Sequence, residues 1–120
     1  MKYSDLTKNE NIILYHGSSE PPEYFKKYGL KPSRHGSVFL TDNPELAIHY
    51  AETDQERTGN DNITIISVNS NDLDQNLLMA DIDHTNAQDW RQSLKDEDQC
   101  MYMGQINSQL FLNIEEITDD

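Results

Sequence analysis

The 120-residue sequence has little of several things, and each shortage excludes something. A single cysteine, Cys100, rules out an internal disulfide and any multi-cysteine zinc site. Only nine Lys and Arg stand against 22 Asp and Glu, a net charge of −13. A chain so poor in cations is a bad sequence-independent binder of DNA or RNA, which needs a cationic face to displace counterions. It suits an anionic membrane surface no better. No apolar run approaches the ~18 residues of a membrane span, and the start, Met1-Lys2-Tyr3-Ser4-Asp5, has no signal-peptide core. A soluble cytoplasmic protein is expected. Repeats, linkers and low-complexity tracts are missing too, so residues 1–120 read as a single domain, of a length that supports one core without cross-links.

The charge is unevenly placed. Residues 1–36 hold six cations (Lys2, Lys8, Lys26, Lys27, Lys31, Arg34) and four acids, net +2. Residues 37–120 hold three cations (Arg57, Arg91, Lys95) and eighteen acids, net −15. A small anionic ligand therefore belongs against the first third, near Lys31 and Arg34.

Ile12-Ile13-Leu14-Tyr15 is β-branched and apolar and predicts a strand over about 11–16, broken by His16-Gly17-Ser18-Ser19. Pro21-Pro22-Glu23 opens a helix whose stripe is Tyr24, Phe25 and Tyr28, with Gly29 to end it. Leu30 to Gly36 reads as a cationic loop and Ser37–Thr41 as the second strand. Asp42-Asn43-Pro44-Glu45 starts a helix with Leu46, Ala47, Tyr50 and Ala51 on one face. Glu52 to Asn62 is polar and ends in a Gly59–Asn62 turn. Ile63–Val68 is the clearest strand, Asn69–Asn76 a polar loop, and Leu77–Ala80 too short to assign. Thr85 or Asn86 caps a short helix through Trp90 and Leu94, and strands follow over Cys100–Ile106 and Leu110–Ile114. Short strands with few short helices give an α+β domain.

Taken in order, three segments resemble the ADP-ribosyltransferase superfamily. Leu14-Tyr15-His16-Gly17-Ser18 is similar to its His-Gly-Ser/Thr signature, Gly36–Thr41 to its aromatic strand, and Ala47–Ala51 to the helix whose tyrosine closes the nicotinamide pocket. The resemblance implies a split β-sheet core and NAD as substrate. His16 would bind the adenosine ribose, Gly17 the carboxamide, and Phe39 and Tyr50 the ring, with Phe39 standing where the His-Tyr-Glu members have tyrosine; Ser18, of the same signature, joins the cofactor-binding residues. The residue types suit this: a cationic ring over an aromatic face gains roughly 0.5–2 kcal/mol. A histidine with one nitrogen fixed by the backbone has the other to donate to ribose hydroxyls.

Transfer of ADP-ribose also calls for a group that stabilises an oxocarbenium-like ribose. Members of the family often place Glu at the entrance of a late strand. Asp96-Glu97-Asp98-Gln99 precedes Cys100, and matching Gly104-Gln105-Ile106 to the end of that strand puts Glu97 first and Asp98 next. The rifampicin-modifying branch uses Asp after the middle strand, where Asp72 and Asp74 lie here; Asp74 ranks third. Other chemistries lack their signatures. His16, His35, His49 and His84 have no metal-ligand spacing, Ser18 has no nucleophile-elbow context, and Cys100 sits in an apolar strand as an inert thiol.

Three functions are thus expected. The first is an NAD-dependent mono-ADP-ribosyltransferase acting on a host protein, a basic or nucleic-acid-handling one by charge complementarity; compact phage-encoded members of the superfamily include inhibitors of CRISPR systems. The second is a relative of the NAD-dependent RNA 2′-phosphotransferases, kept open by Arg34 within Gly29–Arg34. The third is a catalytically inactive acidic decoy.

Overall fold

The structure is a computed structural model and describes residues 12–33, 36–81 and 89–117. Among the described residues six strands and three helices follow in the order β1 (Ile13–Ser18), α1 (Pro22–Tyr28), β2 (Val38–Leu40), α2 (Pro44–Thr58), β3 (Thr64–Asn69), β4 (Leu78–Met79), α3 (Trp90–Glu97), β5 (Cys100–Tyr102) and β6 (Phe111–Glu116). The strands form two antiparallel three-stranded sheets, β1-β3-β6 and β2-β5-β4. This is the α+β class, with its sheet in two parts. A bridge between Tyr15 and Thr41 ties the sheets together, Tyr15 N–H donating to Thr41 C=O at 2.7 Å and Thr41 N–H returning at 3.0 Å.

β3 is the central strand of its sheet, and its run of apolar side chains is buried on both faces. One face joins the main core with Leu14, Leu40, Ile66, Val68, Trp90 and Ile106. The other carries Ile65, which packs with Ile63 against Ala47 and Ala51 of α2. The small residues on α2 allow a close approach, and Gly17 allows closer still: a Cβ built there would stand 1.8 Å from the Ala47 carbonyl oxygen. A backbone carbonyl cannot swing aside as a side-chain end does. Gly17 is therefore required by helix-on-strand packing, whatever else it touches.

Several boundaries differ from those expected. β1 runs on through His16, Gly17 and Ser18, because Gly17 and Ser18 pair with Ile65 and Thr64. α2 continues through the polar stretch to Thr58, where Gly59 closes it in a left-handed conformation (φ 79°) with its N–H on Gln55 C=O. Its start is as expected, with Pro44 in the first turn and the Asn43 side chain accepting from Glu45 N–H at 3.1 Å. β5 stops at Tyr102, since Met103 and Ile106 bond instead to Leu77 and Leu30. α3 starts at Trp90 under an Asp89 cap that accepts from Gln92 N–H at 2.8 Å. The expected caps Thr85 and Asn86 lie outside the described residues. No helix among the described residues is long and apolar enough to cross a membrane.

Candidate functional site

A cleft of about 490 Å³ opens where β1 ends beside α2 and β2. That lies within the range of small-molecule and cofactor sites. His16, Gly17 and Ser18 line it from β1, Phe39 from β2, Tyr50 from α2 and Gln99 from the residue just before β5. The residues expected to bind cofactor thus come together, with one exception: Arg34 lies outside the described residues.

His16 is fixed by the sheet pairing. Its Nδ1 lies 2.9 Å from Phe39 C=O, and a carbonyl only accepts, so Nδ1 carries the hydrogen. Burial holds the imidazole below its ordinary pKa of 6.5, against the opposing pull of the Phe39 bond and the Asp54 charge. The ring is therefore neutral at pH 7, and its remaining nitrogen, Nε2, is an acceptor. Nε2 is thus set to accept a hydrogen bond rather than to give one. Phe39 stands between buried Val38 and Leu40 in β2 yet is 42% exposed, which leaves an aromatic face open in the cleft.

Tyr50 is held from behind. Its hydroxyl donates to Gln99 Oε1, and Gln99 Nε2 donates to the carboxylate of Asp81, which is 1% exposed. Ser93 braces the same turn, its hydroxyl donating to Gln99 C=O at 2.7 Å and accepting from Asp81 N–H at 3.0 Å. Burial, then the Asp81 and Asp98 charges, push the Tyr50 phenol up, so it remains a donor throughout the neutral range.

A second knot ties α2 to the end of β1. Asp54 Oδ2 accepts Ser19 N–H at 3.0 Å and Ser19 Oγ–H at 2.8 Å, while Oδ1 receives Arg57 Nη2 at 2.6 Å and Nε at 3.0 Å. Burial would raise the Asp54 carboxyl, but the Ser19 and Arg57 donors outweigh it and hold it below the usual value. Ser18 spends its hydroxyl within this loop, accepting from Glu20 N–H at 3.1 Å and reaching Asp54 Oδ2 at 3.5 Å.

The expected acids do not line the cleft. Glu97 is exposed on the last turn of α3. Asp98 is the exposed left-handed cap of that helix (φ 59°), contributing its C=O to the Thr41 hydroxyl. Asp74 is exposed in the loop after β3, its Oδ1 accepting from Asn76 N–H at 3.0 Å. The carboxylates that do line the cleft are Glu20 and Asp54. The late strand starts at Cys100, so its entrance residue is Gln99. Gln99, being uncharged, gives no signal in a sequence searched for an acid. Asp54 and Arg57 fall beyond Ala51, where the apolar stripe of α2 ends, yet Ala47, Tyr50, Asp54 and Arg57 at i, i+3, i+7 and i+10 share one helical face. Cys100, buried, has its thiol pushed up to about 12 by burial and then by the Asp42 charge, and is inert. No group of three His, Cys, Asp or Glu able to hold a metal ion occurs among the described residues.

No protein-family model and no curated protein matches the chain. Among solved structures it is similar to one named EcPltA, with a TM-score of 0.64 over 93% of this chain and 79% of that one. The two are 12% identical, so the likeness is one of fold.

Proposed function

We propose that the cleft binds NAD and that the chain transfers ADP-ribose from it to a protein. The observation that carries this reading is the locked imidazole of His16 in one cleft with the aromatic faces of Phe39 and Tyr50. Such a site suits a flat cationic ring joined to a hydroxyl-rich ribose. The nicotinamide lies against Phe39 and Tyr50, and His16 Nε2 accepts from the adenosine ribose.

In the reaction the N-glycosidic bond breaks, nicotinamide leaves with the bonding pair, and the ribose C1′ carries the positive charge. A nucleophilic side chain of the target then bonds to C1′ and loses its proton to water or buffer. The group at the entrance of the late strand is Gln99. Its amide is polarised by the buried Asp81 carboxylate behind it, so the negative charge that stabilises the ribose cation is supplied at second hand.

Calorimetry and intact-mass analysis test this. His16→Ala and Tyr50→Ala each weaken NAD binding at least tenfold with an unchanged far-UV spectrum; unaltered affinity in both overturns the site. Gln99→Ala keeps binding but lowers transfer to a lysate protein, on the order of 10²-fold for one such contact. Glu97→Gln, Asp98→Asn and Asp74→Asn leave transfer intact; a dead Glu97→Gln beside a working Gln99→Ala returns the acid to α3.

A second reading has one observation in its favour: Gln99 is neutral. On that reading the chain binds NAD, or a basic partner through its −13 charge, without turnover. NAD that raises the melting temperature yet adds no mass to any lysate protein decides for it.

A further inference from the structure

We infer that Arg57, held by Asp54, is an anion-binding group of the cleft, and that the anion it takes is the diphosphate of a nucleotide. Naming a nucleotide rests on the reading that the cleft binds NAD; the anion site itself does not.

Arg57 stands on the last turn of α2 and lines the cleft, with its side chain 74% exposed. A guanidinium has five N–H donors. Two of them, on Nε and Nη2, are spent on Asp54 Oδ1, and three remain. An exposed pair three residues apart on one helix ordinarily fixes nothing. Here the carboxylate is itself anchored on another element, because Ser19 at the end of β1 gives it both a backbone N–H and a hydroxyl. Ser19 is fully buried and its hydroxyl also meets Thr58 Oγ1 at 2.7 Å, so the anchor is rigid. The guanidinium is thereby set against the strand that carries His16, three residues before Ser19. Such a fork suits phosphate oxygens better than an ammonium does.

The second cation of the cleft is Lys31, just after α1, its ammonium 4.8 Å from the centre of the Tyr28 ring. Two cations on separate elements of one cleft match two phosphates rather than one. Against the cleft's two carboxylates, Glu20 and Asp54, these cations leave the lining balanced in charge within a chain of net charge −13, so an anion meets far less repulsion there than the total charge implies.

Calorimetry at low salt with ADP, adenosine and NAD tests the inference on the full chain. ADP binds the parent at least tenfold more tightly than adenosine. Arg57→Gln loses that difference, flattens the salt dependence and leaves adenosine unchanged, while Arg57→Lys recovers part of it. Both changes are on an exposed side chain and leave the fold intact. Asp54→Asn gives a test of sign. A carboxylate that merely repelled phosphate would, on removal, tighten ADP binding; one that orients Arg57 weakens it. Ser19→Ala loosens the same anchor with no charge change and moves affinity the same way. Equal ADP affinity in parent and Arg57→Gln overturns the inference, and tighter binding by Asp54→Asn overturns the part given to Asp54. Arg57-dependent ADP binding with NAD bound no better than ADP upholds the anion site and removes the nicotinamide reading. Tyr50-dependent NAD binding indifferent to Arg57 does the reverse.

Discussion

Gly17→Ala separates packing from ligand contact at the most constrained position of the site. The added Cβ would stand 1.8 Å from Ala47 O and 2.7 Å from Ala47 C, where real contacts do not fall under 3.0 Å. Strand and helix must part by more than an ångström, and the Ala47–Ala51–Ile63–Ile65 cluster opens with them. Overpacking of a well-filled core costs about 1–3 kcal/mol. With backbone as the obstacle the upper end applies, which in a domain of this size lowers the melting temperature by roughly 10 °C. Gly59→Ala is the control. It also replaces a glycine, at φ 79°, but nothing lies within 4 Å, so only left-handed strain of about 1 kcal/mol is paid. Paired thermal and urea melts check both variants. A Gly17→Ala protein as stable as the parent, or no less stable than Gly59→Ala, would refute the packing argument and return Gly17 to the carboxamide.

Three further outcomes follow from the same groups. Tyr50→Phe leaves Gln99 Oε1 without its donor and lowers stability by about 1–2 kcal/mol in urea melts, while the ring stays in place to stack on ligand. Cys100 resists a thiol reagent at pH 8 until the chain unfolds; because the unfolded thiol ionises near 9 and the folded one near 12, stability falls as pH rises across that interval. His16 acts in the opposite limb: its folded pKa lies below the unfolded 6.5, the unfolded chain binds the extra proton, and stability falls as pH drops below 6.5, a dependence that His16→Ala removes from the urea midpoints.

Local chemistry made some elements legible and not others. The Ile63–Val68 run and the Asn43-Pro44-Glu45 start each hold their signal within a few residues, and both are found where expected. His16-Gly17-Ser18 reads as a break in sequence because glycine and serine weaken an isolated strand. In the fold the same residues are the ladder partners of Ile66, Ile65 and Thr64, and the pairing overrides propensity. The tail of α2 has the opposite history. Its residues from Glu52 to Thr58 carry little apolar content, so hydrophobic period ran out before the helix did. What continues it is polar, the Asp54–Ser19 and Thr58–Ser19 bonds to β1 and the Gly59 closure, and none of these is visible until the chain is folded.

The same contrast explains the site. His16, Phe39 and Tyr50 were legible because each sits at a position defined by its own strand or helix, and the order of the elements brings them to one cleft. Gln99, Asp54 and Arg57 are positioned by contacts distant in the chain: Gln99 by Asp81 and Tyr50, and Asp54, which holds Arg57, by Ser19. The family resemblance pointed to Glu97, Asp98 and Asp74 by their places before the late strand and after the middle one, yet among the described residues these exposed acids lie outside the cleft and the acid behind Gln99, Asp81, is sealed in the core. The cleft lining includes a neutral imidazole, two aromatic faces, an amide, the cations Lys31 and Arg57, and the carboxylates Glu20 and Asp54, of which Asp54 is already engaged by Ser19 and Arg57. Two cations against two carboxylates leave that lining balanced in charge within a chain of net charge −13.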